Sequence, residues 1–450
     1  MKETREFDDG GTAANQTNGC PSHSLLTSIR RALGHLLEDI SYLFGRLFGL
    51  ALVALFAEMG YAIMQMAALP LYLRSTFRMP DGRPLDAWII GIVVSTFLVA
   101  ETFLKVPFGI LSDRYGRKPF IVLGTLISGL TPLGMRVANS PYWFLPLRAI
   151  DGIGAAALWP TVFASVAALT SSERRVAAMS IFNMTYLIGA SLALPMYSLV
   201  FAHAKHHANV FLVVSGVFLV AAVLSVAFVP KIPRGLANGE ESSEAGAQQS
   251  TSVRLMLKLA ASNRTIMLMM VLSLVYTLGI NLLSGTISLW AKEVLGLREE
   301  RIGFIFLIPG LVIVALAVPL GWLGGKWGRL KSVRFGITVA AIAMWILPHT
   351  RSVATVSMVI APLVVGFLMA TPAWMAMVTE AAPQGQQGMV VGAVSTAQGI
   401  GAMVSPAIGG RLYDWSPSWP FYGAAVLITA ASVIVFKYFK DPSSQAAASA

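Results

Sequence analysis

Ten residues, Gly109-Ile-Leu-Ser-Asp-Arg-Tyr-Gly-Arg-Lys118, recur in altered form 212 positions later as Gly321-Trp-Leu-Gly-Gly-Lys-Trp-Gly-Arg-Leu330. Both copies keep Gly, Leu, a basic residue, an aromatic residue, Gly and Arg in the same order. Nearly the same offset relates small or rigid residues within apolar stretches, namely Gly124 and Gly336, Gly154 and Gly366, Pro160 and Pro372, and Pro195 and Pro406. Landmarks that recur at one offset indicate a duplicated structural unit.

The composition excludes several classes of protein. Of the 450 residues, 56% are hydrophobic and only 12% are charged, and the mean hydropathy is +0.68. Because soluble domains carry roughly a quarter charged residues, a water-soluble enzyme and a disordered scaffold are excluded. Cys20 is the single cysteine, and the six histidines show no HExxH or comparable spacing. We therefore expect a polytopic membrane protein with no disulfide framework, no bound metal and no cofactor.

Stretches of about 20 mostly apolar residues, the length that a helix needs to cross a bilayer, occur twelve times. Their ranges are 47–70, 87–110, 119–137, 142–168, 177–200, 209–230, 266–290, 301–323, 332–349, 353–378, 389–410 and 418–437. The predicted fold is an all-α membrane protein with twelve transmembrane helices in two six-helix bundles related by a pseudo-twofold axis. The predicted segments are a tail 1–46, a bundle 47–230, a polar linker 231–265, a bundle 266–437 and a tail 438–450.

Lysine and arginine are distributed unevenly between the two sides of the membrane. With the amino terminus inside, 21 of the 33 Lys and Arg residues fall in cytoplasmic segments and 10 in external ones. Because positive residues accumulate on the cytoplasmic side, both termini are predicted to be cytoplasmic, in the cytoplasmic (inner) membrane. The lipid bilayer therefore accounts for the net charge of +11, and no nucleic-acid partner is expected. Apolar residues from Leu26 to Phe44 recur at helical spacing, which predicts an amphipathic helix before span one.

The segment Gly109–Lys118 resembles the loop 2–3 signature of the major facilitator superfamily, G-x-L-[AS]-D-R-x-G-R-[RK]. The segment Arg148-Ala-Ile-Asp-Gly-Ile-Gly-Ala155 resembles the fourth-helix motif of that family, R-x-x-x-G-x-G-A. The twelve spans, the linker and the duplication extend the resemblance over residues 45–437. It implies a carrier, usually a monomer, whose two halves alternately open a central site to either side of the membrane.

The loop between spans two and three is a candidate gate, formed by Gly109, Asp113, Arg114, Gly116, Arg117 and Lys118. Gly116 permits a tight turn. The resemblance implies that Asp113 faces the amino terminus of helix eleven, near Gly388 and Met389, where the helix dipole favours a carboxylate. Such a contact would hold the cytoplasmic side closed, and it is expected in one copy only because the second copy has Gly325. The alternative is a basic loop that binds anionic lipid headgroups.

Away from the span ends, five charged residues lie inside predicted spans, namely Glu58, Glu101, Lys105, Arg148 and Asp151. A charge at mid-bilayer costs at least about 2.5–3.5 kcal/mol on insertion scales, so each residue needs a partner or a function. Glu101 and Lys105 share one helical face, and Arg148 and Asp151 share another. Glu58 is then the unpaired carboxylate and the first candidate for proton coupling. In the alternative arrangement Arg148 pairs with Glu58, and Asp151 carries the proton. The Glu101–Lys105 pair is either structural or part of the coupling site.

Polar and aromatic residues within the spans are candidates to line a substrate cavity: Tyr61, Gln65, Asn183, Tyr186, Asn281, Trp374 and Gln398. Amides orient a ligand by hydrogen bonds, and aromatic faces bind apolar or cationic groups. For each of these residues, helix–helix packing is the alternative role. As a set they predict a small organic substrate that is apolar or amphipathic.

We therefore expect a secondary active transporter, rather than an enzyme, that binds a small-molecule substrate and protons. Export by antiport is favoured over proton-coupled uptake of a nutrient or metabolite. Proton-driven exporters of the family usually have a Gly-Pro pair in span five, whereas this chain has Gly189 and Pro195 there and its nearer match, Gly401–Gly410, lies in span eleven. Both directions of transport stay open. A membrane enzyme is disfavoured because the spans hold no nucleophile–base pair, and a channel because the charges are placed unevenly.

Overall fold

The computed structural model describes residue 45 and residues 47–170, 175–201, 207–231, 263–303, 307–383 and 386–439. The amphipathic helix predicted before span one and most of the linker 231–265 lie outside the described residues. In the part of the chain that is described, the structure is helical apart from one isolated bridge between Arg78 and Pro84. The chain is therefore all-α, as predicted.

The first half of the described chain contains six long helices. They are α1 (Leu47–Thr76), α2 (Ala87–Tyr115), α3 (Arg117–Val137), α4 (Phe144–Leu169, after a 3₁₀ turn at Pro141–Trp143), α5 (Arg175–Phe201) and α6 (Val210–Phe228). The second half contains α7 (Arg264–Asn281), α8 (Leu307–Trp327), α9 (Arg329–Ile346), α10 (Val353–Glu380), α11 (Gln387–Trp415) and α12 (Trp419–Tyr438). Two short helices, Ile287–Glu293 and Glu299–Ile302, lie between α7 and α8.

Ten helices within the described residues are long and apolar enough to cross a membrane, by length and composition. The other two long helices, α5 and α8, occupy the positions of predicted spans five and eight. Large apolar side chains are turned outward, and Leu130, Val223 and Met358 are 58%, 67% and 72% exposed. Outward-facing apolar surface of this extent suits helices that are surrounded by lipid.

Predicted spans one and seven differ in their course from the helices that form. Span one was predicted to end at residue 70, but α1 continues to Thr76 through a π-helical turn at Met64–Ala68. Pro70 follows this turn and has no N–H to donate, and the preceding N–H of Leu69 bonds the carbonyl of Met64. Predicted span seven, 266–290, is interrupted. Its helix ends at Asn281, Gly285 adopts a positive φ of 82°, and the chain resumes as the short helix Ile287–Glu293.

The helix packing repeats between the two halves. Helix α3 packs on α4 and α6, and the corresponding α9 packs on α10 and α12. Helix α2 packs on α4 and also on α11 of the second half, while the corresponding α8 packs on α10 and on α5 of the first half. Each half therefore contributes equivalent helices to the interface between the halves, as a duplicated unit requires.

The recurring glycines of the sequence occupy equivalent structural positions. A Cβ on Gly124 would lie 2.7 Å from the carbonyl oxygen of Gly154, and a Cβ on Gly336 would lie 2.5 Å from that of Gly366. The crossings of α3 with α4 and of α9 with α10 are therefore close backbone contacts that exclude a side chain. Gly116 and Gly328 also correspond, with φ of 103° and 106°. The predicted boundaries between bundles and linker stay a prediction.

Candidate transport site and external gate

A buried ion pair lies at the contact of α2 with α4. Arg148 Nη1 and Asp151 Oδ2, one helical turn apart on α4, are 2.5 Å apart, and the Arg148 side chain is fully buried. The guanidinium Cζ lies 4.2 Å from the ring centroid of Phe97 on α2. Of the two arrangements left open by the sequence, the structure forms the one in which Arg148 pairs with Asp151.

Part of this buried ion pair has no hydrogen-bond partner among the described residues. The unpartnered atoms are Arg148 Nε, Arg148 Nη2 and Asp151 Oδ1. Removing two charges from water costs several kcal/mol each, and only complete hydrogen bonding offsets that cost. The pair is therefore a poor source of stability, which favours a functional role.

A second pair lies beside the first. Lys105 Nζ is 2.8 Å from Glu101 Oε1 on α2, and Glu101 is buried while Lys105 is half-exposed. Gly152 of α4 brings the two helices together here, because a Cβ on it would lie 2.5 Å from the carbonyl oxygen of Phe97. The structure therefore gathers four of the five predicted coupling residues at one helix crossing.

The fifth predicted coupling residue, Glu58, is half-buried on α1 and accepts a hydrogen bond from the Tyr186 hydroxyl of α5. Helices α1 and α5 approach closely, because a Cβ on Gly189 would lie 2.5 Å from the carbonyl oxygen of Leu55. Glu58 also interacts electrostatically with Glu101. None of the ion pairs formed by described residues includes Glu58, so its carboxylate is hydrogen-bonded to a hydroxyl rather than paired with a cation.

Aromatic rings connect Glu58 to the buried ion pair. The ring of Tyr186 lies 5.3 Å from that of Trp159, which lies 6.2 Å from Tyr61. The Tyr61 hydroxyl is 2.7 Å from Ser128 Oγ, and its ring is 5.5 Å from Phe97. Tyr61 and Tyr186 are among the residues predicted from the sequence, whereas Trp159 and Phe97 are not, because single aromatic residues in apolar spans carry no distinguishing signal.

The other predicted cavity residues are spread over the molecule. Trp374 Nε1 donates to Ser273 Oγ at 3.2 Å, and its ring packs on Phe439 after the end of α12, away from the middle of the helices. Asn281 is the last residue of α7, and its amide bonds the carbonyl of Thr277. Gln398 lies beside Gly399, where α11 meets α2, and is half-buried, as is Gln65, whereas Asn183 is exposed. Their role as cavity lining stays a prediction.

The loop between α2 and α3 is bonded to its own half of the molecule. Asp113 Oδ1 lies 3.1 Å from Arg117 Nη2, and Arg117 Nη1 donates to the carbonyl of Ala164. Lys118 Nζ donates to the carbonyl of Val226. In this structure Asp113 is exposed and bonded to Arg117. Its expected contact with the start of α11 stays a prediction for another state of the protein.

The predicted external side carries a polar network that the sequence analysis missed. Arg74 at the end of α1 binds Glu293 of the short helix Ile287–Glu293, with 2.8 Å between Nε and Oε1. The Tyr413 hydroxyl of α11 donates to Glu293 Oε2 at 2.9 Å. Beside them, Asp414 accepts hydrogen bonds from the backbone N–H groups of Ala87 and Trp88. These contacts join the first half of the chain to the second.

A second carboxylate, Glu299, makes an equivalent connection between α5 and the segment before α8. Glu299 is buried, accepts a hydrogen bond from the Tyr197 hydroxyl at 2.9 Å and pairs with Lys292. Ser198 Oγ accepts from the N–H of Gly303 at 2.7 Å. We name these residues, with Arg74, Glu293, Tyr413 and Asp414, the external gate. In the sequence its charged members lie near span ends, where they look like ordinary loop residues.

The sequence matches the family model described as "Major Facilitator Superfamily" over residues 50–371 and again over 269–450. "Multidrug resistance protein 2" of Bacillus subtilis (strain 168) is 26% identical over 360 residues, which cover 79% of this chain and 88% of the relative. "Multidrug resistance protein MdtH" of Aeromonas salmonicida (strain A449) is 24% identical over 410 residues, which cover 89% of this chain and 96% of the relative.

Solved transporter structures share the fold. The nucleoside transporter NupG superposes with a TM-score of 0.71 at 12% sequence identity, over 87% of this chain and 99% of that one. A D-xylose–proton symporter gives a TM-score of 0.69 at 17% identity, over 88% and 98%. The predicted fold class is thereby confirmed, and the relatives and structural neighbours are transporters rather than enzymes. With matches along nearly its whole length, this chain belongs to the Major Facilitator Superfamily and is a multi-pass membrane transporter.

Proposed function

We propose that this transporter exports a small, amphipathic organic molecule, preferably a cation, in exchange for protons. The observation that carries the proposal is Glu58, a half-buried carboxylate without an ion-pair partner among the described residues, held by Tyr186 inside an aromatic site. A carboxylate of this kind can bind either a proton or a cationic substrate. If both compete for it, binding of one releases the other, which is the requirement for antiport.

The surroundings of Glu58 support the choice of substrate. Tyr186, whose hydroxyl binds the Glu58 carboxylate, packs against the ring of Trp159, and aromatic faces attract cations by about 0.5–2 kcal/mol according to their desolvation. The relatives in Bacillus subtilis and Aeromonas salmonicida carry the name of multidrug resistance proteins, and this agrees with export. Arg148, Asp151, Glu101 and Lys105 form two ion pairs next to this site, and we assign them to the response of the protein to protonation.

We propose further that the two halves alternate in access, with the protein as a monomer in the cytoplasmic membrane and both termini in the cytoplasm. The excess of Lys and Arg in the segments predicted to be cytoplasmic supports this orientation. The bonds of the external gate support a state that is closed to the outside. The exposed Asp113, bonded to Arg117, supports a cytoplasmic side on which its contact with the start of α11 is not made.

The test is flux in proteoliposomes with ethidium, a fluorescent lipophilic cation, as the probe. When a pH gradient is imposed, wild-type protein should move ethidium in the direction opposite to the proton flow. Ethidium fluorescence follows the substrate, and a pH-sensitive dye follows the protons. Glu58→Gln should lose the dependence on the gradient, whereas the matched control Glu300→Gln, at an exposed carboxylate of the short helix Glu299–Ile302, should keep it. Unchanged gradient dependence in Glu58→Gln would refute the assignment.

Proton-coupled uptake is the second candidate. The observation that favours it is the interior of α5, which contains Pro195 and Gly189 but not the Gly-Pro pair of exporters. In the same flux experiment, uptake by symport would move protons and substrate in one direction. That result would replace export and leave the role of Glu58 intact.

A further inference from the structure

The first turn of α2 is capped by a residue from the other half of the protein. Asp414 Oδ1 accepts a hydrogen bond from the N–H of Ala87 at 2.7 Å, and Asp414 Oδ2 accepts one from Trp88 at 3.0 Å. Asp414 is the residue before the last of α11. Both oxygens of one carboxylate therefore satisfy two of the backbone N–H groups that a helix leaves unbonded at its start.

The residue that would ordinarily perform this task is present and is not used. Asp86 occupies the N-cap position of α2, and aspartate is among the most favourable N-cap residues. Its side chain makes no cap hydrogen bond. Instead, Asp86 Oδ1 lies 2.9 Å from Arg83 Nη1. Helix α2 thus has two possible caps, one from its own half and one from the opposite half.

The contact that brings Asp414 to α2 depends on a close approach of the two backbones. A Cβ on Gly410 would lie 2.2 Å from the carbonyl oxygen of Ala87, and a Cβ on Gly91 would lie 2.1 Å from that of Pro406. Because no side chain separates the helices here, a small separation of α2 from α11 removes Asp414 from hydrogen-bonding distance. The cap therefore exists only while this end of the interface is closed.

We propose that Asp414 is the latch of the external side and that Asp86 replaces it as the cap of α2 when that side opens. This inference rests on the alternating access proposed above. In the closed state Asp414 caps α2, and Asp86 pairs with Arg83. In the open state Asp86 turns to the N–H groups of α2 and releases Arg83. The exchange gives the start of α2 a carboxylate acceptor in both states, so opening does not leave it uncapped.

The proposal gives α2 and α11 a reciprocal arrangement. The two helices run in opposite directions, and each carries an aspartate within three residues of its carboxyl end, Asp113 on α2 and Asp414 on α11. Asp414 caps α2 in the present structure. Asp113 is expected to reach the start of α11 when the cytoplasmic side closes. Each helix would then cap the other in one of the two states.

The test measures distances by double electron–electron resonance between spin labels, in a Cys20→Ser background. One label pair, at Val137 and Arg351, reports the predicted external side, and the other, at Tyr115 and Trp327, reports the cytoplasmic side. All four positions are exposed. Asp414→Ala should raise the ratio of externally open to externally closed protein by about tenfold or more, since it removes two charge-assisted hydrogen bonds. Asp414→Asn, which keeps one acceptor oxygen, should give a smaller increase.

The variant Asp86→Ala distinguishes cap exchange from a general weakening of the gate. It removes the cap of the open state, whereas in the closed state it removes only an ion pair with the exposed Arg83, so the proportion of open protein should fall below that of the wild type. Glu300→Gln, at an exposed carboxylate on the same predicted side of the membrane, is the matched control and should leave both distance distributions unchanged.

An unchanged ratio in Asp414→Ala, or an increase in the open form in Asp86→Ala, would overturn the proposal. If Asp414→Ala does not yield folded protein, an unchanged ratio of open to closed protein in Asp414→Asn would overturn the proposal instead. The distances are measured without substrate. A failure of ethidium transport therefore refutes the proposed function and leaves the latch to be judged on the distances alone.

Discussion

Arg74 and Glu293 lie 219 positions apart in the chain, and their side chains meet through two hydrogen bonds of 2.8 and 3.3 Å. The pair joins the end of α1 to the short helix Ile287–Glu293, and the Tyr413 hydroxyl completes the site. Both side chains are partly exposed, at 20% and 31%, and exposed ion pairs contribute about 0.2–1 kcal/mol.

We predict that Glu293→Gln opens the external side only modestly, by about two- to fivefold in the ratio of open to closed protein. The exposed position of the ion pair limits its contribution. A double-mutant cycle with Arg74→Gln, read by the Val137–Arg351 label distance, measures the coupling. If the two single changes add without coupling, the pair contributes nothing to closure.

Asp151→Leu should lower the free energy of unfolding of the purified protein by about 3–5 kcal/mol, because it leaves the buried Arg148 charge without its partner. The loss is measured as a lower melting temperature in detergent. The double variant Arg148→Met with Asp151→Leu should recover most of that loss, since buried pairs are often replaceable by apolar residues. It should not recover proton-coupled flux. Equal instability of the single and double variants would show instead that the ion pair itself stabilises the fold.

Substitution at the aromatic site should affect binding more than folding. Trp159→Ala should raise the KM for ethidium several-fold, since it removes the ring that packs against Tyr186, the hydrogen-bond partner of Glu58. Trp159→Phe should retain most of the affinity because it keeps an aromatic face. Trp143→Ala, at a ring 60% exposed on the surface, is the control. A KM that responds equally to Trp143→Ala and Trp159→Ala would place the substrate elsewhere.

Two glycines should respond to alanine with opposite signs. Gly336→Ala places a Cβ 2.5 Å from the carbonyl oxygen of Gly366, and overpacking of this kind costs about 1–3 kcal/mol. Gly216→Ala in α6 meets nothing within 4 Å and should stabilise the helix by about 0.5–1 kcal/mol. Melting of both variants in detergent gives the comparison. A stable Gly336→Ala protein would mean that α9 and α10 separate without penalty.

Asp113→Asn should reduce transport while membrane insertion stays normal, because the neutral side chain binds the start of α11 less strongly. Asp81→Asn serves as the exposed control. Flux in vesicles and the amount of folded protein in the membrane are the two measurements. Full activity of Asp113→Asn would leave the basic loop with lipid binding as its role.

Much of the fold follows from the sequence because lipid imposes simple rules. Apolar length predicts the spans, and the 212-residue offset predicts which helices correspond, as the equivalent positions of Gly116 and Gly328 show. The points at which a helix breaks or continues depend on the local conformation of the backbone. Apolar length alone does not show that span seven breaks at Gly285 or that α1 continues beyond Pro70.

The candidate site was less predictable than the fold. Ionisable residues inside spans are conspicuous, so Glu58 and the two ion pairs could be named from the sequence. The partner of each residue depends on how the helices are rotated, and one-dimensional spacing left two partners open for Arg148. Asp414 and Glu293 lie near span ends, where charges are common, and only the contacts between the halves distinguish them.

The π-helical turn at Met64–Ala68 has a consequence for the outer part of α1. Such a turn holds one more residue than an α-turn, and one residue corresponds to roughly 100° of rotation about a helix axis. If Met64–Ala68 rewound to α-helical geometry, the segment that carries Arg74 would swing around the axis by about that angle and withdraw its guanidinium from Glu293. The π-helical turn thus lies between Glu58 and the Arg74–Glu293 contact on α1. A change in helical geometry at this turn would couple the buried part of α1 to that contact.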